Sequence, residues 1–436
     1  MIKIALFMEF GMKQLLKSLL PHSLLEKMLN PYHLVESVLA NIRYGFPAKK
    51  MYVIQITGTN GKTTTASYLA SILSQTGAKV GVCSTAYFEI AGERIANDLN
   101  FTVSNPFKLQ SILAQMKRAK VTHLILEVTS HAIEQHRAWG VPCDLALITN
   151  LTQDHLDYHK TMQNYAAAKG KLFANKVPLI VLNRDDEWFE FFNKFEALEQ
   201  KITYGTHEDA DCQITGVKLH KAGSDVKLLV DHQTKINFAT QLPGKFNVYN
   251  ATAAAAAAYL LHVDIDQIEK GIEELENVPG RLERVSTSEQ PFEVFVDYAH
   301  TPDALQNVLE TLKHLTKHRL ILVFGATGDR DRAKRPIMGE IAAKLADRIY
   351  VTDDETYTED GASIRQMITD GIKTGGGEAK TEEIADRGEA IRKALSIARR
   401  DDIVIVTGIG HEQYRIMGDQ RMPWNEVKII KEMLEK

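Results

Sequence analysis

The stretch "ITGTNGKTTTASYLA", Ile56–Ala70, decides how the chain is read. It follows "MYVIQIT", a short β-branched run, and leads into a helical pattern from about Lys62 to Gln75. A glycine-rich turn between a strand and a helix is the setting of a phosphate-binding loop. The full loop pattern wants a glycine five positions before Gly61, where Ile56 stands, so this is a shortened version, Gly58-x-x-Gly61-Lys62-Thr63. The physics survives the shortening. Glycines let backbone N–H groups turn toward phosphate, Lys62 supplies charge, and the helix N-terminus favours an anion. The Thr63 hydroxyl can reach Mg²⁺. Gly58, Thr59, Asn60, Gly61, Lys62, Thr63 and Thr64 are therefore the expected ATP-binding residues. The bland alternative is a glycine turn before a capped helix. Switches, motors, kinases and ligases all use such loops, so the rest of the chain must choose among them.

Working outward, "THLILEVTSH", "DLALITNLTQDH" and "VPLIVLNRDD" are apolar at nearly every position and end in polar residues. Such runs suit strands buried on both faces of a parallel sheet. Residues 203–241 alternate instead, with Gly and Asp punctuation, and read as a small antiparallel excursion. "NVYNATAAAAAAYLL" reads as an alanine-rich helix suited to close packing. The Pro-Gly break in "ENVPGRLERV" places a domain boundary near Pro279. Beyond it "FEVFVDYAHTP", "LILVFGATGDRD", "RIYVTDDETYTED" and "DIVIVTGIGHEQY" restart the strand–helix rhythm, each strand carrying a polar cluster at its carboxyl end. Ligands of open α/β sheets bind at those ends, so the four imply one shared crevice. The expected organisation is α/β: a short helical N-terminal segment (1–48), a P-loop central domain with a mostly parallel sheet (49–278) and a C-terminal Rossmann-like domain (279–436).

Composition narrows the function classes. A net charge of −4 over 436 residues gives no basic field for nucleic acid or an anionic membrane. The leucine-rich N-terminus is interrupted by Lys3, Glu9 and Lys13, which argues against a signal peptide or a membrane span. Cys83, Cys143 and Cys212 are far apart and show no metal spacing. These features suit a cytoplasmic protein without stable membrane insertion.

Glu127, Ser130 and His131 end one strand pattern; Asn150, Asp154, His155, Asp157 and His159 end the next. A Glu beside a phosphate loop is a candidate Mg²⁺ ligand, since Mg²⁺ takes carboxylates, waters and phosphate oxygens. His155 and His159 have i,i+4 spacing that zinc could use, but the ATP loop calls for a hard cation. Lys169, in "NYAAAKGKLFA", read alone is a surface lysine on an alanine-rich helix. The charge run Gly328–Arg335, "GDRDRAKR", reads as a solvated turn or, from its place after a strand, as an adenine- or phosphate-side element.

"GTNGKTTT", "EVTSHA", "TNLTQDHLDYH", "YAAAKGKLF", "GKFNVYNATAA", "VPGRLERV", "VDYAHTPDAL", "GATGDRDRAKRP" and "GIGHEQY" occur in one order at fitting spacings. Over residues 50–420 the chain resembles the Mur ligase family, specifically the E type, which adds the third residue of the peptidoglycan stem to a UDP-N-acetylmuramoyl-dipeptide. The resemblance implies that ATP phosphorylates a peptide carboxylate and that an amine displaces phosphate from the acyl phosphate. It implies catalytic roles for Lys62, Lys169 and His155. Two Mg²⁺ ions would be held by Thr63, Glu127, His155 and Lys169, the last as a CO₂-derived carbamate. Nucleotide contacts would come from Asn250, Arg281, Asp297, Tyr298 and His300 as well as the loop. Contacts from both domains imply closure on substrate. The expected partners are a UDP-linked muramoyl-peptide and an amino acid, acting on a monomer. A Mur-type ligase with another acceptor, such as folyl-glutamate, and a non-catalytic ATP-binding switch or scaffold are the competing readings. Retention of Glu127, His155 and Lys169 speaks against the scaffold.

The resemblance also locates substrate contacts and departures. "FTVSNPFKLQ" stands where the family has a loop that touches the muramoyl-peptide, making Thr102, Ser104 and Asn105 candidates together with Ser130 and His131. E-type ligases carry an N-terminal domain of roughly a hundred residues; here about 48 precede the first strand pattern. Diaminopimelate-adding members have an Asp-Asn-Pro-Arg block whose Arg clamps the distal carboxylate. Here that block is Asp354, Glu355, Thr356 and Tyr357. A phenol cannot replace a bidentate charged clamp. Ile409 stands where the family often has Lys, while His411 and Glu412 remain. The expectation is that diaminopimelate is not strongly preferred, and that lysine, ornithine or a neutral residue is used, unless Arg415 rebuilds the clamp.

Overall fold

The computed structural model describes residues 22–97, 103, 105–220 and 222–435. Two sheets organise it. The first contains β1 (Tyr52–Thr57), β2 (Val80–Cys83), β3 (Tyr87–Ile90), β4 (Glu93–Ala96), β5 (His123–Glu127), β6 (Leu145–Ile148), β7 (Leu179–Asn183), β8 (Gln200–Gly205), β9 (Cys212–His220), β10 (Gly223–Val230) and β11 (Thr234–Thr240). Their order is β11-β10-β9-β8-β7-β6-β1-β5-β2-β3-β4. The strands from β8 through β2 are parallel to their neighbours, as the uniformly apolar runs predict. The β9–β11 meander is the antiparallel excursion, continuous with the same sheet.

The register fixes the site. Ile56 pairs with Glu127 and Thr57 with Ile148. The carboxyl ends of β1, β5 and β6 are thus level, so the turn at Gly58, the carboxylate of Glu127 and the segment after Ile148 emerge side by side. Helix Lys62–Gln75 starts at the loop and packs against helix Lys245–Leu260, whose alanines 253–258 are fully buried. Alanine lets the two helix backbones approach closely, and larger residues there would cost about 1–3 kcal/mol in overpacking.

The second sheet has the order β12-β13-β17-β14-β15-β16, with β12 (Glu283–Arg284), β13 (Glu293–Asp297), β14 (Leu320–Phe324), β15 (Arg348–Val351), β16 (Thr381–Glu383) and β17 (Ile403–Thr407). All pairs but β12–β13 are parallel. A hairpin, β18 (Tyr414–Met417) and β19 (Gln420–Pro423), follows. Helix His22–Tyr44 runs through Pro31 and packs on helix Pro106–Arg118. It is tied to the first sheet's domain by Ser37 and Asn41, which donate to the carbonyls of His136 and Trp139. The candidates Thr102 and Ser104 lie outside the described residues.

Candidate functional site

Residues Thr59–Thr64 of the loop line one wall of a cleft of about 790 Å³ between the two sheets' domains. The loop's glycines are required by close approach. A Cβ on Gly58 (φ 145°) would lie 1.9 Å from the Thr149 hydroxyl oxygen, and one on Gly61 (φ 84°) 2.2 Å from Asn250 Oδ1. Lys62 Nζ donates to the carbonyls of Gly58 (3.0 Å) and Thr59 (2.8 Å). Thr59, Asn60, Thr63, Thr64, Glu127, Asn250, Arg281, Asp297, Tyr298 and His300 share the cleft.

Lys169 is not the surface lysine that its helix pattern alone suggests. It is 1% exposed, because helix Met162–Phe173 turns Tyr165, Ala166 and Phe173 into the core. Its Nζ donates to Gly58 O at 2.9 Å and lies 4.7 Å from the Tyr165 ring centroid. Burial, then the charge of Lys62, lowers its pKa well below that of a free lysine.

Glu127 is fully buried at the end of β5. Thr85 donates to its Oε2 at 3.1 Å, and Oε1 has no hydrogen-bond partner among the described residues. Burial raises its pKa, against Lys62 and Arg281, which favour the anion. An orphaned carboxylate oxygen beside a phosphate loop and the Thr63 hydroxyl is a donor set that fits a hard divalent cation.

His155 has a positive φ of 54°, and its Nε2 is 3.2 Å from Asp154 Oδ2. Asp154 also meets Lys334 at 3.6 Å and His300 at 3.9 Å, both from the second sheet's domain. Burial opposes its ionisation, yet these three cations or imidazoles hold it well below the usual carboxylate range.

Arg281 bridges the cleft. Its Nη2 donates to Thr63 Oγ1 (3.2 Å), its Nη1 to His411 Nδ1 (3.4 Å), and it stacks 4.5 Å from the Tyr298 ring centroid. Because an arginine only donates, His411 Nδ1 accepts, which leaves Nε2–H to donate to Thr85 O at 3.1 Å. Tyr298 donates to Glu412 (3.2 Å), and Tyr357 to Glu355 (3.3 Å). Glu412, Glu355 and Asp354 are all buried, and burial raises the pKa of each; the charge of Asp354 raises Glu355 further, and Glu355 and Asp354 together raise Glu412. Arg415 does not reach out to rebuild a clamp. Its guanidinium donates to the carbonyls of Asp353 and Asp354 and stacks on Trp424.

Ser130 and His131 lie apart from the nucleotide wall. Ser130 Oγ is 2.9 Å from His159 Nε2, and the His131 ring is 4.3 Å from Tyr158 and 4.8 Å from His155. Asn105 uses its side-chain oxygen to cap helix Pro106–Arg118 by accepting from Lys108 N, which gives it a local structural role.

The charge run Gly328–Arg335 is not a freely solvated turn. Asp331, Lys334 and Arg335 are buried, and Lys334 reaches Asp154 of the other domain at 3.6 Å. Sequence reasoning also missed Asp303, whose Oδ2 accepts from Asn60 Nδ2 at 2.7 Å across the cleft. An acid in the first turn of helix Pro302–Leu315 carries no other signal than helix-start preference. Gln135 and Arg137 were missed as well. Each is largely buried beside Tyr158, with Gln135 Oε1 and Arg137 Nε lacking partners among the described residues.

Residues 56–258 match the Mur ligase middle domain, and residues 280–410 match the Mur ligase, glutamate ligase domain. The UDP-N-acetylmuramoyl-L-alanyl-D-glutamate–2,6-diaminopimelate ligase 1 of Clostridium acetobutylicum is 40% identical over 398 residues, covering 90% of this chain and 80% of that protein. The chain belongs to the Mur ligase family. A solved UDP-N-acetylmuramoyl-L-alanyl-D-glutamate–2,6-diaminopimelate ligase superposes with a TM-score of 0.60 at 33% identity, over 89% of this chain and 79% of that one. Mycobacterium tuberculosis folylpolyglutamate synthase, at 19% identity and a TM-score of 0.72 over 86% of this chain and 92% of that one, shares the fold. This Mur ligase is an ATP-dependent, ADP-forming ligase of carbon–nitrogen bonds, and its family uses ATP with Mg²⁺. Among the described residues no helix is long and apolar enough to cross a membrane.

Proposed function

We propose that this Mur ligase adds an amino acid to the terminal carboxylate of a UDP-linked muramoyl-peptide in the cytoplasm, as a monomer, with Lys169 working as a carbamate. The observation that supports the reading is that Lys62 and Lys169 share the Gly58 carbonyl of the phosphate loop, near buried Glu127, with Arg281 reaching over from the other domain to Thr63. A carboxylate is a poor electrophile because it is anionic. An oxygen of the acceptor carboxylate attacks the γ-phosphorus of ATP and ADP leaves. The amine then attacks the carbonyl carbon, loses a proton, and phosphate departs as the amide forms.

Lys62 exchanges its two carbonyl acceptors for phosphate oxygens, and Arg281 adds charge from the opposite wall. Magnesium held by Glu127, Thr63, His155 and the Lys169 carbamate would screen the triphosphate from the acceptor carboxylate. Asp154 orients the His155 ring. His131 and Gln135 both meet Tyr158, and the His131 ring lies 4.8 Å from that of His155. The neutral tautomer of His411 joins Arg281 to the β2–β3 turn.

For the incoming amino acid, Glu412, Glu355 and Tyr357 present acid and phenol rather than a cationic clamp, and Arg415 is engaged by its own domain's backbone. This supports a residue whose side chain ends in an ammonium, lysine or ornithine, over diaminopimelate, although the relatives are named for the latter. The acceptor reading is tested by phosphate release with ATP, UDP-N-acetylmuramoyl-dipeptide and a panel of amino acids. Release is expected with a basic amino acid, and silence with every muramoyl-peptide would overturn it.

A further inference from the structure

Gly328–Arg335 follows β14 and Asp354–Glu359 follows its parallel neighbour β15. The two segments are zipped together. Gly328 N–H donates to Glu355 O at 2.7 Å, and Asp329 N–H to Glu359 Oε1 at 2.6 Å. The Asp329 carboxylate accepts from Thr358 N (3.2 Å) and its hydroxyl (2.8 Å). Glu359 is gripped by the fork of Arg335, Nη2 to Oε1 at 2.8 Å and Nη1 to Oε2 at 3.0 Å, while Arg332 adds a contact of 3.1 Å. Arg335 is fully buried and also donates to Thr327 O. A bidentate pair of this kind fixes orientation as well as distance.

What the zipper fixes is a wall. Arg330 is held with its guanidinium 5.2 Å from the Tyr357 ring centroid, and Tyr357 in turn donates to Glu355. None of the contacts made by Glu359 is to Tyr357, Glu355 or Glu412 themselves. We infer that Glu359 and Asp329 are positioning residues for the incoming amino acid: they join two loops into one preformed body that presents Tyr357 and Glu355 together, with Arg330 stacked on the tyrosine ring. The inference rests on the amino-acid reading of this group given above. Preorganised walls matter because a displacement of about 1 Å can cost on the order of a hundredfold in rate.

The test is steady-state ligation with Asp329→Ala, Glu359→Gln and Glu359→Asp, varying the amino acid and ATP separately. Asp329 is exposed, so its alanine variant isolates the loop tie without leaving a buried charge. The expected result is a rise of about tenfold or more in KM for the amino acid with KM for ATP within about twofold in Asp329→Ala and Glu359→Gln, and partial recovery in Glu359→Asp. Equal rises in both KM values, or none in Asp329→Ala, overturn the inference while leaving wild-type ligation intact. A wild-type enzyme that ligates no amino acid overturns it together with the reading on which it rests.

Discussion

Lys62 and Lys169 donate to one carbonyl oxygen, that of Gly58, at 3.0 and 2.9 Å. Two ammonium groups this close in a buried site repel, and burial lowers the pKa of Lys169 further. Turning the Lys169 amine into an anionic carbamate removes that repulsion and leaves Lys62 the cation. Lys169→Ala should therefore lose at least about a hundredfold in kcat, and a small carboxylate such as formate should restore part of it. Phosphate release with and without formate is the measurement. An active Lys169→Ala without rescue would assign the lysine a packing role.

Glu355 and Glu412 couple amino-acid binding to pH. Burial, then the charge of Asp354, raises Glu355 to about 7, and burial with Glu355 raises Glu412 well above its ordinary value. An ammonium ligand favours the ionised forms, so KM for a basic amino acid should fall as pH rises through about 7. Glu355→Gln should flatten the profile. Stability moves the other way: the folded state binds more protons than the unfolded chain above the ordinary carboxyl range, so the contribution of Glu355 is present below that range and is lost as pH rises through about 7. Denaturant midpoints at pH 6 and 8 would read this, and a fall at pH 8 in the wild type that persists undiminished in Glu355→Gln would exclude this origin.

Tyr357 carries the selectivity argument. Lysine or ornithine should exceed diaminopimelate in kcat/KM, and Tyr357→Arg should move the ratio toward diaminopimelate by about tenfold or more, the scale of a charge-assisted hydrogen bond. Competition assays decide it. A large preference for diaminopimelate in the wild type would show that its distal carboxylate is held by another group.

Arg387 and Glu426 form a fork at 2.7 and 2.9 Å with neither side chain exposed. Glu426→Ala strands a buried guanidinium and should cost about 3–5 kcal/mol, whereas replacing both residues by apolar ones should cost much less. Urea unfolding of the single and double variants separates the two cases.

Much of the architecture is legible because its signals are local. Uniformly apolar runs announce buried parallel strands, and the shortened glycine loop announces where helix Lys62–Gln75 begins. The polar strand tips of the second sheet meet in pairs: Tyr298 from after β13 meets Glu412 from after β17, and Gly328 from after β14 meets Glu355 from after β15. What was not legible depends on partners remote in sequence. Lys169 is buried by aromatic residues that its own helix turns inward. Arg335 and Lys334 look like a solvated run until Glu359, and Asp154 from the other domain, supply their counter-charges. Asp303 is indistinguishable from any acid that starts a helix until Asn60 is seen across the cleft.

The most direct measurement is phosphate release from ATP with UDP-N-acetylmuramoyl-dipeptide and lysine, in the wild type and in Lys62→Ala. The wild type should release one phosphate per peptide extended, and Lys62→Ala should fall by at least about a hundredfold, since the γ-phosphate loses its positive partner. Near-normal turnover in Lys62→Ala, or no phosphate from the wild type with any amino acid on this acceptor, would contradict the assignment.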